Sequence, residues 1–263
     1  DDARRAPLRT VGELEVLELW HGPTSAFKDM ALQLLPQLMS TARKKTGEQD
    51  TILILVATSG DTGKAALEGF ADAEGIRIMV FYPDGGVSPV QRLQMVTQEG
   101  GNVKVVAVRG NFDDAQRGVK EIFGDAAAQK ELAVSHTRLS SANSINWGRL
   151  VPQIVYYFSS YADLLAEGRI RLGDAVNYTV PTGNFGDILA GFYAKRMGLP
   201  VRRLVCASNA NNVLTDFLQS GVYDSRREFY QTISPSMDIL VSSNLERLLY
   251  HLTGDTAQVA AWM

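Results

Sequence analysis

Two apolar runs in this chain each lead into a glycine-rich turn, and that repeated pattern constrains the fold more than any other feature. Residues 51–56 precede Ala57-Thr58-Ser59-Gly60-Asp61-Thr62-Gly63. Residues 174–179 precede Val180-Pro181-Thr182-Gly183-Asn184-Phe185-Gly186-Asp187. A strand feeding a glycine-rich turn that opens a helix aims backbone N–H groups at a phosphate or carboxylate. Short β-branched segments at 76–82, 103–108, 137–140, 176–180 and 204–207 read as further strands. Helical periodicity fills 62–73, 90–99, 113–128 and 185–197 between them. Strands alternating with helices predict an α/β fold with parallel sheets and right-handed crossovers. Residues 145–166 read as one long helix with Pro152 in its first turns, where a missing N–H is tolerated. Residues 13–19 read as a strand.

A second feature is Lys28, in the run His21-Gly22-Pro23-Thr24-Ser25-Ala26-Phe27-Lys28-Asp29-Met30. The Gly-Pro turn leads into Thr24 and Ser25, both expected to cap a helix start. Lys28 then falls in or near the first helical turn. A helix N-terminus carries partial positive charge and favours anions, so a lysine there is electrostatically misplaced. Two readings stand: a surface lysine beside Asp29, or an amine whose charge is shared with an anionic ligand or removed by a covalent imine. An imine needs an amine that is neutral part of the time, which burial or a nearby positive charge promotes. A third polar cluster, Ser141-Ala142-Asn143-Ser144-Ile145-Asn146-Trp147, opens the expected long helix.

The 263 residues suffice for one large domain or two modest ones, and the apolar fraction of 45% is that of a globular protein. A net charge of −3, with Lys and Arg scattered, gives no reason to expect nucleic acid or an anionic membrane as partner. No apolar run reaches membrane-span length. The single cysteine, Cys206, sits in an apolar run and suits a buried strand thiol. His21, His136 and His251 show no metal-ligand spacing, so no metal is expected. No signal-peptide pattern is visible, and a reducing cytoplasm is the expected compartment.

Five motifs in one order carry a resemblance. Gly-Pro-Thr-Ser-Ala-Phe-Lys-Asp, Ala-Thr-Ser-Gly-Asp-Thr-Gly, Asn-Ser-Ile-Asn-Trp, Pro-Thr-Gly-Asn-Phe-Gly-Asp-Ile-Leu-Ala-Gly and Ser-Pro-Ser-Met-Asp-Ile-Leu-Val-Ser-Ser-Asn together resemble threonine synthase. That family belongs to the pyridoxal-phosphate enzymes of the tryptophan-synthase-β type, fold type II. The matches run from about Glu13 to Tyr250. The resemblance implies two parallel-sheet, three-layer α/β domains: large-domain segments at 1–47 and 145–263, with a smaller domain at 48–144 between them. Threonine synthases are longer at both ends, so the chain reads as an internal segment of such a protein. The implied reaction is O-phospho-L-homoserine plus water to L-threonine plus phosphate, a lyase step ending threonine biosynthesis.

The resemblance also assigns residues. Lys28 would hold pyridoxal 5'-phosphate through a Schiff base and then move the substrate's Cα proton. Gly183, Asn184, Phe185, Gly186 and Asp187 would line the cofactor and cradle its phosphate. The other reading of that turn is a tight strand–helix connection alone; Asp187 beside a phosphate would be repulsive unless it caps the helix or bonds a neighbouring amide. Thr58, Ser59, Asp61 and Thr62 would receive the substrate carboxylate, with Asp61 or Thr62 also expected as a helix cap. Asn143 and Asn146 would bond substrate or pack domain against domain. Lys64 is expected to be a surface residue. Residues 234–243 suit a loop near the site. The residue that meets the pyridine nitrogen would lie in a C-terminal part outside this chain, which predicts poor cofactor binding by these 263 residues alone. The expected assembly is a monomer or homodimer. A serine or threonine dehydratase, or a non-catalytic homologue that binds phosphorylated ligands, are the alternative functions.

Overall fold

The computed structural model describes residues 4–262, which divide between Pro152 and Gln153 into two compact units. The first unit opens with an antiparallel hairpin, β1 (Leu8–Val11) and β2 (Leu14–Leu17). An 18-residue helix, α1 (Asp29–Thr46), follows and carries Pro36 within it. Next come β3 (Thr51–Ala57), α2 (Asp61–Phe70), β4 (Ile76–Pro83), α3 (Pro89–Val96), β5 (Val103–Val108), α4 (Phe112–Gly124), α5 (Ala126–Val134) and β6 (Thr137–Ser141). The four strands form one parallel sheet in the order β5-β4-β3-β6, as the strand–helix alternation predicts.

This sheet is covered on both faces because its central strands are apolar on both. Ile54, Val56, Ile78 and Val80 point to one face and meet Leu32 and Leu35 of α1, Ala65, Ala66, Leu67 and Phe70 of α2, and Met95 of α3. Leu55 and Ala57 point to the other and meet Ala115 and Val119 of α4. Alternate residues of a strand face opposite sides, so an unbroken apolar run is what a sheet buried on both faces requires. Helices α1 and α2 approach closely: Leu32 carbonyl oxygen lies against Gly69, where a side chain would not fit. That contact sets the first turn of α1 against the last turn of α2.

The expected single helix over 145–166 is broken. Trp147–Leu150 forms α6, Val151–Gln153 is a 3-10 turn, and α7 begins at Ile154 and ends at Ala166. Pro152 lies in the 3-10 turn, where its missing N–H does not interrupt an α-helical ladder. The expected 113–128 helix is likewise split, because the Asp125 carboxylate accepts from Ala127 and Ala128 N–H and starts α5.

The second unit holds α7, β7 (Val176–Pro181), α8 (Gly186–Arg196) and β8 (Val201–Ala207), with β7 and β8 parallel. This strand–helix–strand unit matches the sequence expectation. Helix α9 (Val213–Ser220), a 3-10 turn at Pro235–Met237, α10 (Leu245–Thr253) and α11 (Thr256–Trp262) complete it. Tyr157 of α7 donates to the Asp187 carbonyl, at 2.7 Å, and burial pushes its phenol well above the ordinary range. Cys206 is half-buried in β8, and burial raises its thiol too, which suits an inert strand cysteine. Among the described residues no helix is long and apolar enough to cross a membrane, and no group of acidic, histidine or cysteine side chains has metal-site geometry.

Candidate active site

In the first unit the chemistry gathers where α1 and α2 begin. The approach to α1 is held by an acid at its first residue. Asp29, itself buried, accepts from Thr24 N–H at 3.0 Å, Ala26 N–H at 3.2 Å and the Thr24 hydroxyl. Thr24 therefore donates to Asp29 instead of capping the helix, and Ser25 takes a left-handed conformation (φ 55°) within the turn. The expected Thr24 or Ser25 cap is replaced by Lys28, whose backbone occupies the N-cap position without a side-chain cap bond.

Lys28 is 7% exposed, which excludes the surface-lysine reading. Its ammonium lies 3.7 Å from Asp61 Oδ2 and 4.7 Å from the centre of the Phe27 ring. A carboxylate and an aromatic face both attract a cation and offset the unfavourable helix dipole.

Asp61 is the hub. Its Oδ1 lies 3.2 Å from Lys64 Nζ and accepts from Gln91 Nε2 at 2.8 Å. Burial pushes the Asp61 carboxyl up. The charge of Lys28, the Gln91 hydrogen bond and the charge and hydrogen bond of Lys64 outweigh it, so the carboxyl titrates below its ordinary value. Lys64 is as buried as Lys28, and this corrects the expectation of a surface role. The turn itself is closed by Thr58, whose Oγ1 accepts from Gly60 and Gly63 N–H, both at 2.9 Å. Neither Asp61 nor Thr62 caps α2, because Thr58 already holds its opening amides and Gly60 occupies the N-cap position. Ser59 is half-buried in the same turn.

Residues 141–149 flank this turn. Asn143 Nδ2 donates to the Ala57 carbonyl at 3.0 Å, at the end of β3. Asn146 caps α6: its Oδ1 accepts from Gly148 N–H at 2.9 Å, and its Nδ2 donates to the Ser141 carbonyl at 2.9 Å. Arg149, buried, donates to the Thr62 hydroxyl at 3.4 Å and to the Ala142 carbonyl at 3.2 Å. The structure thus brings Lys28, Thr58, Asp61, Thr62 and Asn143 together, and places Asn146 one step removed, in a capping role.

The second unit builds a different turn. Gly183 and Asn184 present their carbonyls to the segment after β8: Ser242 Oγ donates to Gly183 O, and Asn244 donates to Asn184 O from its backbone at 3.1 Å and its side chain at 3.0 Å. A trans peptide points its N–H opposite its C=O. The N–H groups of Asn184 and Phe185 therefore face away from residues 242–244. Phe185, in a left-handed conformation (φ 65°), directs the next amides into the helix start. Successive backbone amides in such a turn are the kind of donors that anion sites use. Gly183 is required by proximity: a Cβ there would lie 2.9 Å from Ile239 Cγ1 and 3.2 Å from Met237 Cα. The 234–243 segment does lie against this turn, as the sequence suggested. Asp187 turns its Oδ1 to Ile188 N–H at 2.9 Å, which is the neighbouring-amide role expected if it is not to repel an anion.

Sequence reasoning missed five participants. Gln91 carried a legible signal, since Ser88-Pro89-Val90-Gln91 is a capping-box pattern, and both of its reciprocal bonds form. Lys64 stands three residues after Asp61, a spacing that pairs side chains on a helix. Arg149 and the pair Ser242 and Asn244 left no local signal, because their partners lie far away in sequence.

The family model described as pyridoxal-phosphate dependent enzyme matches residues 8–261. The threonine synthase of Pseudomonas aeruginosa is 48% identical over 257 residues, covering 97% of this chain and 52% of that protein. Human threonine synthase-like 1 is 48% identical over 262 residues, covering 97% of this chain and 35% of that protein. The crystal structure of pyridoxal-phosphate-bound threonine synthase from Brucella melitensis superposes with a TM-score of 0.86 at 47% identity, covering 97% of this chain and 53% of that one. The chain spans about half the length, or less, of these relatives.

Proposed function

We infer that this chain, which belongs to the pyridoxal-phosphate-dependent enzyme family, serves the threonine synthase reaction, converting O-phospho-L-homoserine and water to L-threonine and phosphate. The observation that carries this reading is the buried Lys28 ammonium paired with Asp61, in a chain 47–48% identical to two threonine synthases. The residues fit the cofactor by the chemistry of their donors. A buried primary amine suits its aldehyde carbon, and the carbonyl-anchored turn at 183–187 suits its phosphate. Pyridoxal phosphate supplies a conjugated ring that stabilises negative charge at the substrate carbons.

The chain's own residues do the rest. Lys28 takes the proton from substrate Cα and returns protons later in the cycle. Asp61 fixes the position of the Lys28 nitrogen. Thr58 accepts two amides through its oxygen and offers its O–H, with Ser59, Thr62 and the turn's amides, to the substrate carboxylate. Asn143 orients the end of β3 beside that turn, and Asn146 holds the helix start that carries Arg149. Arg149, a buried guanidinium against Thr62, suits the phosphorylated side chain. Gly183, Asn184, Phe185, Gly186 and Asp187 form the proposed cofactor cradle. The proposed domain assignment keeps the segments 1–47, 48–144 and 145–263, and the proposed setting is a cytoplasmic monomer or homodimer with no nucleic-acid or membrane partner.

Borohydride reduction with saturating pyridoxal phosphate, followed by peptide mapping, tests the amine. Label on the Lys28 peptide supports the reading, and label on another lysine overturns it; weak labelling of these 263 residues alone is what their expected poor cofactor binding predicts. Phosphate release from O-phosphohomoserine separates the reaction from a dehydratase, which would release ammonia from serine or threonine. A chain that binds phosphorylated ligands with neither label nor turnover is the non-catalytic homologue.

A further inference from the structure

We propose that Lys64 is the standing counter-ion of Asp61, a positioning residue that keeps this carboxylate ionised and aimed at Lys28 when the Lys28 amine gives up its own charge. The proposal rests on the reading of Lys28 as the working amine. Two buried ammonium groups share one carboxylate: Lys28 Nζ is 3.7 Å from Asp61 Oδ2, and Lys64 Nζ is 3.2 Å from Oδ1. An amine that joins an aldehyde or accepts a proton has to be neutral first. Asp61 would then be a buried carboxylate without a cation, which burial drives toward the protonated form. A protonated Asp61 no longer offers Lys28 an anion.

Lys64 prevents this because of where it sits. It lies one helical turn from Asp61 on α2, so their pairing is internal to one helix and independent of Lys28. Gln91 from α3 donates to the same Oδ1 and fixes the carboxylate plane, leaving Oδ2 toward Lys28. The other charged groups nearby are engaged elsewhere. Arg149 bonds the Thr62 hydroxyl, and the Asp29 carboxylate is held by Thr24 and Ala26. Asp61 already titrates below its ordinary value despite its burial, in line with cations on both oxygens.

The test mimics a neutral Lys28. Carboxyl-labelled aspartate in the cofactor-free chain gives the Asp61 midpoint by carbon NMR, assigned with Asp61→Asn. In Lys28→Met, Asp61 stays ionised at neutral pH. Adding Lys64→Met raises its midpoint by about one unit or more, whereas adding Lys64→Arg leaves it near that of Lys28→Met. If Lys64→Met does not fold by circular dichroism, Lys64→Gln, which keeps a donor and removes the charge, replaces it. A midpoint unmoved by loss of the Lys64 charge overturns the proposal. In the otherwise intact chain, Lys64→Met lowers kcat about tenfold and moves the acid limb of the rate profile to higher pH, with KM for O-phosphohomoserine unchanged. A raised KM with an unmoved Asp61 midpoint would make Lys64 a substrate contact and also overturn it. The titration uses neither cofactor nor substrate, so an inactive wild-type chain refutes the functional reading and still lets Lys64 be judged.

Discussion

The turns between β3 and α2 and between β7 and α8 share one sequence pattern and differ in how they are wired. In the first, Thr58 consumes opening amides of the helix, and the chemistry passes to side chains largely out of water: one carboxylate, two lysines and a glutamine amide. In the second, Ser242 and Asn244 consume carbonyls, and the peptide amides of Asn184 and Phe185 are turned outward. The first turn is a charged, titratable device. The second, the proposed cradle, offers backbone N–H groups, which do not titrate. A strand feeding a glycine-rich turn therefore announces anion chemistry without saying which atoms supply it. What decides is the element packed behind the turn: Gln91 of α3 for the first, residues 237–244 for the second.

The largest expected effect breaks the first turn's chemistry and spares its structure. Lys28→Ala removes the amine while Lys64 still pairs Asp61. Phosphate release should fall by about 10³-fold or more, and borohydride should fix no cofactor. Circular dichroism should remain that of the parent chain, and a loss of folding instead would make Lys28 a structural residue.

Glycine substitutions sharpen the contrast. Gly60 has φ 138°, and a Cβ there would fall 2.3–2.5 Å from the Gln91 side-chain amide. Gly60→Ala should displace Gln91, raise the Asp61 midpoint, and cost about 1–3 kcal/mol in urea unfolding. Gly183→Val should push Met237 and Ile239 away from their turn at a cost of about 1–3 kcal/mol. It should weaken cofactor binding and leave the Asp61 titration alone. Equal effects of both variants on Asp61 would end the distinction between the two turns.

Thr58→Val and Ser242→Ala form a smaller pair. The first strips the acceptor from two amides of α2 and should cost about 2 kcal/mol. The second frees one carbonyl of the cradle and should cost about 1 kcal/mol. Urea midpoints measure both. Only Ser242→Ala should also weaken binding of pyridoxal phosphate, because it alone loosens the orientation of the outward amides.

The same contrast explains what the sequence revealed. Strands β2 to β8, the parallel pairing of β3 to β8 and the lysine at the head of α1 were legible from short stretches of sequence, whereas β1 and the order of the strands were not read. The burial of Lys64 was not: its chain position suits a solvent-facing turn, and only packing of α1, α2 and α3 around Asp61 takes it out of water. The Pro152 break was misread for a related reason. A proline near a helix start is compatible with one helix or two, and the 3-10 turn at Val151–Gln153 resolves it. Asp125 could have been read as a cap, yet helical periodicity on both sides concealed it. Ser242 and Asn244 act some sixty residues from the turn they hold, a distance at which no periodicity informs.

The smallest expected effect is the pH dependence of stability that the first turn contributes. Asp61 titrates below its ordinary value of 3.8, so the folded chain binds a proton there less readily than the unfolded chain. Ionised Asp61 then stabilises the fold fully above pH 3.8, and the contribution is lost as pH falls below that through the folded midpoint. The effect is small because burial opposes the two lysines and Gln91. Subtracting the urea stability of Asp61→Asn from that of the parent chain isolates it. The difference should be flat through the neutral range and shrink only on the acid side. A difference that grows as pH falls would reverse the sign and show that burial outweighs the cations, and the first turn would then lose the charged character that separates it from the second.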